Sequence, residues 1–412
     1  MRPGQFAERR LHRAALLLLL GAFAAGNALA APRVEPVPDA SRDAQQQAIA
    51  ERFASSGMTN AVATYLAHPA LAEAVLPYAQ YVSNDSSLPA RHRALLLLRT
   101  AWLTRSGYLW AHQARRALRN GLSRADLERI AHGPTAEGWS AFDAALLRAA
   151  DELHVDSFLS DATWVAMMRE YDTNQLIDLV YGVGDLTMHA GVLNTLGVTI
   201  EDDVEERLPP GIPYMVAAEW TNQRLQGKEP RIAPLQPHEW TPEVRARLDP
   251  RGTGRSANVF ATFARNPPVD ALRNAVPGHI RGGSTLSPRH RELLLMRIGV
   301  LCRSEYEWAA HMRAGIGTGM TGADVERIVR GPDAPGGDAL ETALLRATDE
   351  LYRDDRIADE TWAELAARLD TRQLLDVLIA VGGYRAASMA INTAGVQLDE
   401  NMADFRFPAF LR

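Results

Sequence analysis

Cysteine is almost absent from this sequence, since Cys302 is the only one in 412 residues. A single thiol cannot form an intramolecular disulfide, and it has no second thiol in the chain with which to share a redox cycle. We therefore expect packing, and not cross-linking, to stabilise the fold, even in a compartment where disulfides form.

Clustered positive charge is also missing. The chain has 44 Lys and Arg against 50 Asp and Glu, for a formal net charge of −6, which is not the electrostatic signature of a nucleic-acid-binding protein. It has no glycine-rich phosphate loop, and its 11 His are scattered without the spacing of metal ligands. We therefore expect no nucleic acid, no metal and no cofactor, and a small-molecule substrate as the partner.

One long apolar run stands at the N-terminus, and no second one like it follows. Several arginines precede the run at 14–25, and Ala28-Leu29-Ala30 then gives the small-x-small pattern of signal-peptidase cleavage. The run is short for a membrane span. The sequence predicts a signal peptide at 1–30 and an exported protein, periplasmic or secreted, without stable membrane insertion after cleavage. The alternative is an uncleaved membrane anchor.

The rest of the chain repeats itself with a constant shift of 198 residues. "LLRAADEL" from Leu146 falls on "LLRATDEL" from Leu344, and "NTLGV" from Asn194 falls on "NTAGV" from Asn392. Two copies indicate a duplicated domain and not a solenoid, which needs at least three repeats. The predicted segments are a first domain at 31–200, a proline-rich polar linker at 201–230 and a second domain at 231–412.

Each copy has the pattern of helices. In "LSPRHRELLLMRIGVLC", Ser287 is placed as an N-cap and Pro288 as the first helical residue. "GMTGADVERIV" has a glycine stop followed by Thr321 as the next cap. "DALETALLRATDELYRD" has the spacing of an amphipathic helix, whereas the alternation typical of strands is nearly absent. We predict an all-α fold of two tandem helical bundles.

Glu307 and His311 form the first candidate site. They are four residues apart, so on a helix their side chains share one face and the carboxylate can orient or charge the imidazole. Tyr306 and Trp308 flank the pair with large rings. The alternative interpretation is a solvated ion pair on a helix surface, which this spacing often produces.

Glu292 favours a site over a surface pair. It shares the apolar stripe of the preceding helix, where a carboxylate is costly unless another group pairs with it. The first copy keeps the aromatic frame but loses all three ionisable groups. The three counterparts are Ala94, Leu109 and Gln113. Shared packing explains the retained frame, and a joint function explains why the three groups occur as a set.

The motifs "RELLLMRIGVLCRSEYEWAAH", "GMTGADVERIV" and "VGGYRAASMAINTAGV" resemble the carboxymuconolactone decarboxylase family, to which the alkylhydroperoxidase D proteins are related. The resemblance covers both copies. It implies an all-helical fold that assembles as trimers or hexamers, so we expect a homo-oligomer, a trimer of fused pairs.

The resemblance also separates two chemistries. Hydroperoxidase members are similar at Glu292 and His311 but have cysteines at the positions of Ser304 and Glu307, which this chain lacks. The decarboxylase-like branch keeps Glu and His at the positions of Glu307 and His311. This implies His311 as the proton donor, tuned by Glu307, with Glu292 as a buried second carboxylate that either orients the imidazole or relays the proton.

Further residues are candidates for binding substrate. These are Tyr306, Trp308, Ser304, Arg297 and Arg385. Arg99 is retained opposite Arg297, which favours a structural role for that pair, whereas Thr187 stands opposite Arg385.

The first copy is interpreted as a packing partner. His112 is one position out of register with His311. Asp185 and His189 are also four apart, but no other feature of the sequence supports a site there.

The sequence thus predicts an exported, cofactor-free acid–base enzyme of the carboxy-lyase type, acting on a small carboxylated or lactone-type substrate. Two alternatives stay open. One is a peroxiredoxin-like activity that uses Cys302, and the other is a non-catalytic binding or scaffold protein.

Overall fold

The computed structural model describes residues 31–216, 218 and 224–408. The predicted signal peptide at 1–30 lies outside these residues. From Pro32 onward the chain forms one compact unit. Its described residues contain nineteen α-helices and no strand, which confirms the all-α prediction.

The helices fall into two similar series. The first series is α1 (Ala44–Phe53), α2 (Thr59–Tyr65), α3 (Pro69–Gln80), α4 (Ala90–Leu103), α5 (Gly107–Arg119), α6 (Arg124–His132), α7 (Ala141–Asp156), α8 (Asp161–Met168) and α9 (Thr173–Leu196). The second series is α10 (Pro242–Leu248), α11 (Asn258–Phe263), α12 (Pro267–Arg273), α13 (Ala275–Gly282), α14 (Pro288–Leu301), α15 (Glu305–Gly317), α16 (Gly322–Arg330), α17 (Ala339–Asp354), α18 (Asp359–Ala366) and α19 (Thr371–Ala394). The last six helices of each series begin and end 198 residues apart, so the repeat of the sequence is a repeat of helices.

Side-chain caps explain where the paired helices begin. The Asp172 side chain accepts the N–H of Gln175, and the Asp172 N–H donates to the Gln175 side chain, so that α9 begins with a capping box. Asp370 begins α19 in the same way. Ser287 and Thr321 each accept an N–H from the first turn of α14 and α16, which confirms both predicted caps.

The two long helices α9 and α19 join the halves at their centre. A Cβ added to Gly184 would lie 2.7 Å from the Cβ of Ala386, and one added to Gly382 would lie 2.7 Å from the Cγ of Met188. Glycine at these two positions is therefore what allows the backbones to approach so closely. Small residues of the two long helices thus pack against each other at the contact between the halves.

The two long helices also resemble membrane spans in length and hydropathy. Both α9 and α19 are long and apolar enough to span a membrane, so the expectation that no long apolar run follows the one at the N-terminus is wrong. Their apolar windows are 100% and 83% buried inside the protein. Helices of this length and hydropathy also form the cores of globular proteins, and the burial of α9 and α19 is typical of such core helices.

The segments before each series of helices are exchanged between the halves. Arg33, in front of α1, forms an ion pair with Asp359 at the start of α18. Arg231, in front of α10, forms the equivalent pair with Asp161 at the start of α8. Each half therefore holds the other through its leading segment.

Candidate active site

Helices α14 and α15 carry the three ionisable residues. The two helices are joined by a tight turn in which Arg303 has a φ of 52°, and the N–H of Ser304 donates to the carbonyl of Gly299. A Cβ added to Gly299 would lie 3.3 Å from the backbone nitrogen of Trp308, so this glycine permits close packing of the start of α15. The turn thereby places Glu292 of α14 beside the inner face of α15.

His311 lies between two carboxylates. Its Nδ1 is 2.7 Å from Oε2 of Glu292, and its Nε2 is 3.4 Å from Oε2 of Glu307. All three residues are buried, with at most 8% of each exposed. The ring of Tyr384 from α19 meets the imidazole edge-on, with centroids 4.8 Å apart. The structure therefore brings together the three residues that the sequence groups, on a buried face and not in a solvated pair.

The charge of this imidazole follows from its neighbours. Burial alone lowers the pKa of His311, but the interactions with Glu292 and Glu307 outweigh burial and raise the pKa to about 9. The side chain is then an imidazolium at neutral pH, with both nitrogens protonated. A buried cation held by two carboxylates can deliver a proton to a group that develops negative charge.

The two aromatic candidates, Tyr306 and Trp308, contact residues outside the Glu292–Glu307–His311 group. The hydroxyl of Tyr306 donates to Asp399 at 2.7 Å, as that of Tyr108 donates to Glu201 at 2.7 Å in the first half. The ring of Trp308 packs against Phe407 with centroids 5.5 Å apart. Both side chains therefore connect α15 to the segment after α19.

Two buried polar groups of α15 and its N-cap have no hydrogen-bond partner among the described residues. They are the hydroxyl of Ser304 and the indole nitrogen of Trp308. Of the other predicted substrate-binding residues, Arg385 also has a buried atom without a hydrogen-bond partner in the described chain, its Nε.

Arg297 is used inside the protein. Its guanidinium binds both carboxylate oxygens of Asp349, at 2.6 and 2.7 Å, and donates to two carbonyls at the end of α16. Arg99 makes the same contacts with Asp151. These contacts do not support Arg297 as a substrate ligand. They support the structural role that its retained counterpart Arg99 indicates.

Arg385 is also bound by other groups of the protein. Its guanidinium donates to Asp355 at 2.7 Å and to the carbonyls of Leu351 and His154, the last of these from the first half. It stabilises the contact between the halves, and these contacts do not support a role in holding a substrate carboxylate.

Cys302 is completely buried at the end of α14. Burial raises the pKa of its thiol, and the nearby Ser157 and Arg385 only partly oppose this. A peroxidatic cysteine has to be an accessible thiolate. This environment disfavours Cys302 as a redox residue.

The equivalent place in the first half is a cavity of about 70 Å³. Leu109 and Gln113, the counterparts of Glu307 and His311, line it. His189 reaches the same cavity from α9, with its Nδ1 2.6 Å from the hydroxyl of Tyr65 and its Nε2 3.6 Å from Oδ1 of Asp185. The spacing of Asp185 and His189 is visible in the sequence. The contact of His189 with Tyr65 is not, because α2 and α9 are far apart in the chain.

A second group was not detected from the sequence at all. His68, His279 and Asp376 converge where the two halves meet, with donor atoms within 4.8 Å of one another. The prediction of scattered histidines without a cluster is therefore wrong for this set. Because the three positions are separated by long stretches of chain, no local spacing could have revealed them.

Comparison with known proteins agrees with the repeat. The model of the carboxymuconolactone decarboxylase family matches the chain twice, at residues 69–152 and 267–350. No curated protein matches the chain significantly. The matched segments run from the start of α3 into α7 and from the start of α12 into α17. The second segment contains Glu292, Glu307 and His311, called the C-terminal trio below, and the first contains their counterparts.

Proposed function

We propose that this chain, in which two tandem segments match the model of the carboxymuconolactone decarboxylase family, is a cofactor-free acid–base enzyme. The family includes decarboxylases and peroxidase-like members. The substrate of the proposed enzyme is a small carboxylated or lactone-type molecule, and the centre of the enzyme is the C-terminal trio. The observation that carries the proposal is the buried His311 held between Glu292 and Glu307.

The two nitrogens of His311 have different roles in this mechanism. The Nδ1–H is held by Glu292 at 2.7 Å, which fixes the ring. The Nε2–H faces Glu307 at 3.4 Å, longer than a normal N–H···O bond, and is therefore the proton that is free to transfer.

Decarboxylation then needs one proton delivery. The carbon–carboxylate bond breaks, CO₂ leaves, and the electron pair remains on the substrate as an enolate. The Nε2–H of His311 protonates the enolate carbon, and the neutral imidazole regains its proton from water. Glu307 stabilises the imidazolium before the transfer. Hydrolysis or isomerisation of a lactone would use the same donor.

The decisive experiment measures turnover by the full-length protein on a panel of carboxylated lactones, followed as released CO₂. We expect His311→Gln to lower turnover about 10²–10⁴-fold, the usual effect of losing a general acid. The matched control is His189→Gln, which removes the buried imidazole of the first half and should change turnover less than about two-fold. Unchanged turnover in His311→Gln would refute the proposal.

The same panel with hydroperoxides separates the peroxidase alternative. Because the Cys302 thiol is buried and its pKa is raised, we expect no peroxide consumption that depends on it. Peroxide consumption that is present in the parent protein and lost in Cys302→Ser would favour the peroxidase instead.

Location and assembly complete the proposal. We infer export from the sequence of residues 1–30, and a trimer of fused pairs from the assembly of the family. Mass spectrometry of the protein recovered from a periplasmic fraction should show an N-terminus after Ala30. Light scattering should give the mass of three chains.

A further inference from the structure

Two buried aspartates occupy equivalent positions on the central helices. Asp178 of α9 and Asp376 of α19 are 198 residues apart, and polar side chains from both halves lie beside each of them. Asp178 receives bonds from Tyr81, from Ser87 and, across the interface, from Asn266. This cluster is a hydrogen-bonded network of ordinary polar groups.

The cluster around Asp376 has a different composition. The position of Tyr81 is taken by His279, and the position of Asn266 is taken by His68. Oδ2 of Asp376 is held by the backbone N–H and hydroxyl of Thr285 and by the hydroxyl of Ser284. This leaves Oδ1 facing the two imidazoles.

The three donor atoms lie within 4.8 Å of one another. Nε2 of His279 is 2.7 Å from Oδ1 of Asp376, and Nε2 of His68 is 3.4 Å from the same oxygen. The two rings meet edge to face, with centroids 5.1 Å apart. All three residues are buried, with at most 8% exposed.

Hydrogen bonding does not satisfy this group. The Nε2 of His68 has no hydrogen-bond partner within the described chain. A buried polar nitrogen without a partner costs about 1–3 kcal/mol. The equivalent Asn266, by contrast, bonds both Asp178 and the carbonyl of Asn174.

We propose that His68, His279 and Asp376 bind a divalent transition-metal ion of the zinc type. Imidazole and carboxylate are ligands that zinc prefers, at about 2.0–2.2 Å, so neighbouring donor atoms around a tetrahedral ion lie about 3.3 Å apart. The 3.4 Å separation of His68 from Asp376 already fits. The His279 donor has to move outward by roughly 0.6 Å on the same basis.

The ion would join the two halves. His68 lies between α2 and α3 of the first half, whereas His279 and Asp376 belong to α13 and α19 of the second. A water molecule takes the fourth position of a tetrahedral ion. The site is separate from His311, so the ion acts on the stability of the joined pair and not on the proposed acid–base step.

The other aspartate cluster provides the matched control. The variant His68→Asn/His279→Tyr copies the side chains around Asp178 into the site at Asp376, and thus removes the ligands while keeping polar groups that the fold already accepts. The full-length protein, without a histidine tag and stripped with a chelator, is titrated with Zn²⁺ by calorimetry. Co²⁺ is used in parallel for its visible absorption.

We expect the parent protein to bind one equivalent of Zn²⁺, to give the absorption of tetrahedral Co²⁺, and to melt on the order of 5 °C higher with Zn²⁺ than without. The double variant should lose that equivalent, the spectrum and the shift. His238→Ala, which removes an exposed histidine, should change none of them.

A reciprocal variant tests the same inference by gain of binding. Tyr81→His/Asn266→His places two imidazoles beside Asp178, and it should add a second equivalent of Zn²⁺. If the parent protein and the His68→Asn/His279→Tyr variant bind Zn²⁺ alike, or if neither binds it, the cluster is a structural histidine–aspartate network and the proposal is wrong. Should the double variant fail to fold, the single His68→Asn change decides between the same outcomes.

Discussion

The two halves share their helices and differ in the groups placed on them. The second half has Glu292, Glu307 and His311 where the first has apolar or neutral residues, and the first half has Asp185 and His189 where the second has Gly383 and Ala387. Each half nevertheless contains one buried imidazole at the corresponding place, supplied by α15 in one case and by α9 in the other. The comparison shows that the fold tolerates an ionisable group here without prescribing which helix provides it.

What the halves keep is structural. The Arg–Asp pairs, the tight turns at Arg105 and Arg303 with a φ of 52°, and the two long capped helices occur in both. These features can be assigned to the scaffold, because the first half, which lacks the C-terminal trio, has them too. The duplicated chain thus contains its own reference structure.

The largest expected effect concerns the Arg–Asp pair. Arg99→Met should destabilise the protein by about 3–5 kcal/mol, because it leaves a fully buried Asp151 without its guanidinium. Arg297→Met should cost less, about 1–3 kcal/mol, because the Asp349 side chain is 23% exposed and water can solvate it. Urea unfolding of both variants measures the difference. Equal losses would mean that the exposure of the aspartate does not set the cost.

A somewhat smaller effect is expected from pH. The folded pKa of His311 is about 9 and the unfolded value is near 6.5, so the trio contributes stability that is fully present below pH 6.5 and is lost as pH rises through 9. The amount is on the order of 3 kcal/mol. The free energy of unfolding should fall over this window in the parent protein, and this fall should be missing in His311→Gln, which has the residue type of the first half. An identical pH profile in both proteins would contradict the assignment.

The smallest expected effect concerns the paired tyrosines. Tyr108→Phe and Tyr306→Phe should each cost about 1 kcal/mol, since each loses one hydrogen bond to a carboxylate. Turnover by Tyr306→Phe should stay within about two-fold of the parent. A large rise in KM for Tyr306→Phe alone would return this residue to the substrate-binding group and break the equivalence of the two halves.

Local patterns made much of the fold predictable. The caps at Ser287 and Thr321, the amphipathic spacing and the shift of 198 residues depend on neighbours in the sequence, and they predict the helices and their repetition. The proximity of Glu307 and His311 follows from the helical period. That Glu292 meets His311 could be inferred only because the three groups are missing together from the other copy.

Contacts between distant segments were not predictable in this way. Arg385 looks like a free cation in the sequence, but a buried Asp355 and a carbonyl from the other half bind it. His68 has no ionisable neighbour nearby in the chain that would suggest its two partners. Both arrangements depend on how the halves dock, and a repeat in one sequence does not specify that docking.

The exchanged leading segments have a consequence for how the chain can change. Arg33 reaches α18 and Arg231 reaches α8 by mirrored contacts, so the interface has the form of an isologous two-fold dimer whose protomers are covalently fused. In a true homodimer every substitution is made twice, so a costly buried charge would be imposed on both copies of the candidate site and on both aspartate clusters. Fusion removes that coupling. One half can therefore gain histidines or carboxylates while the other half keeps the neutral residues that hold the two halves together.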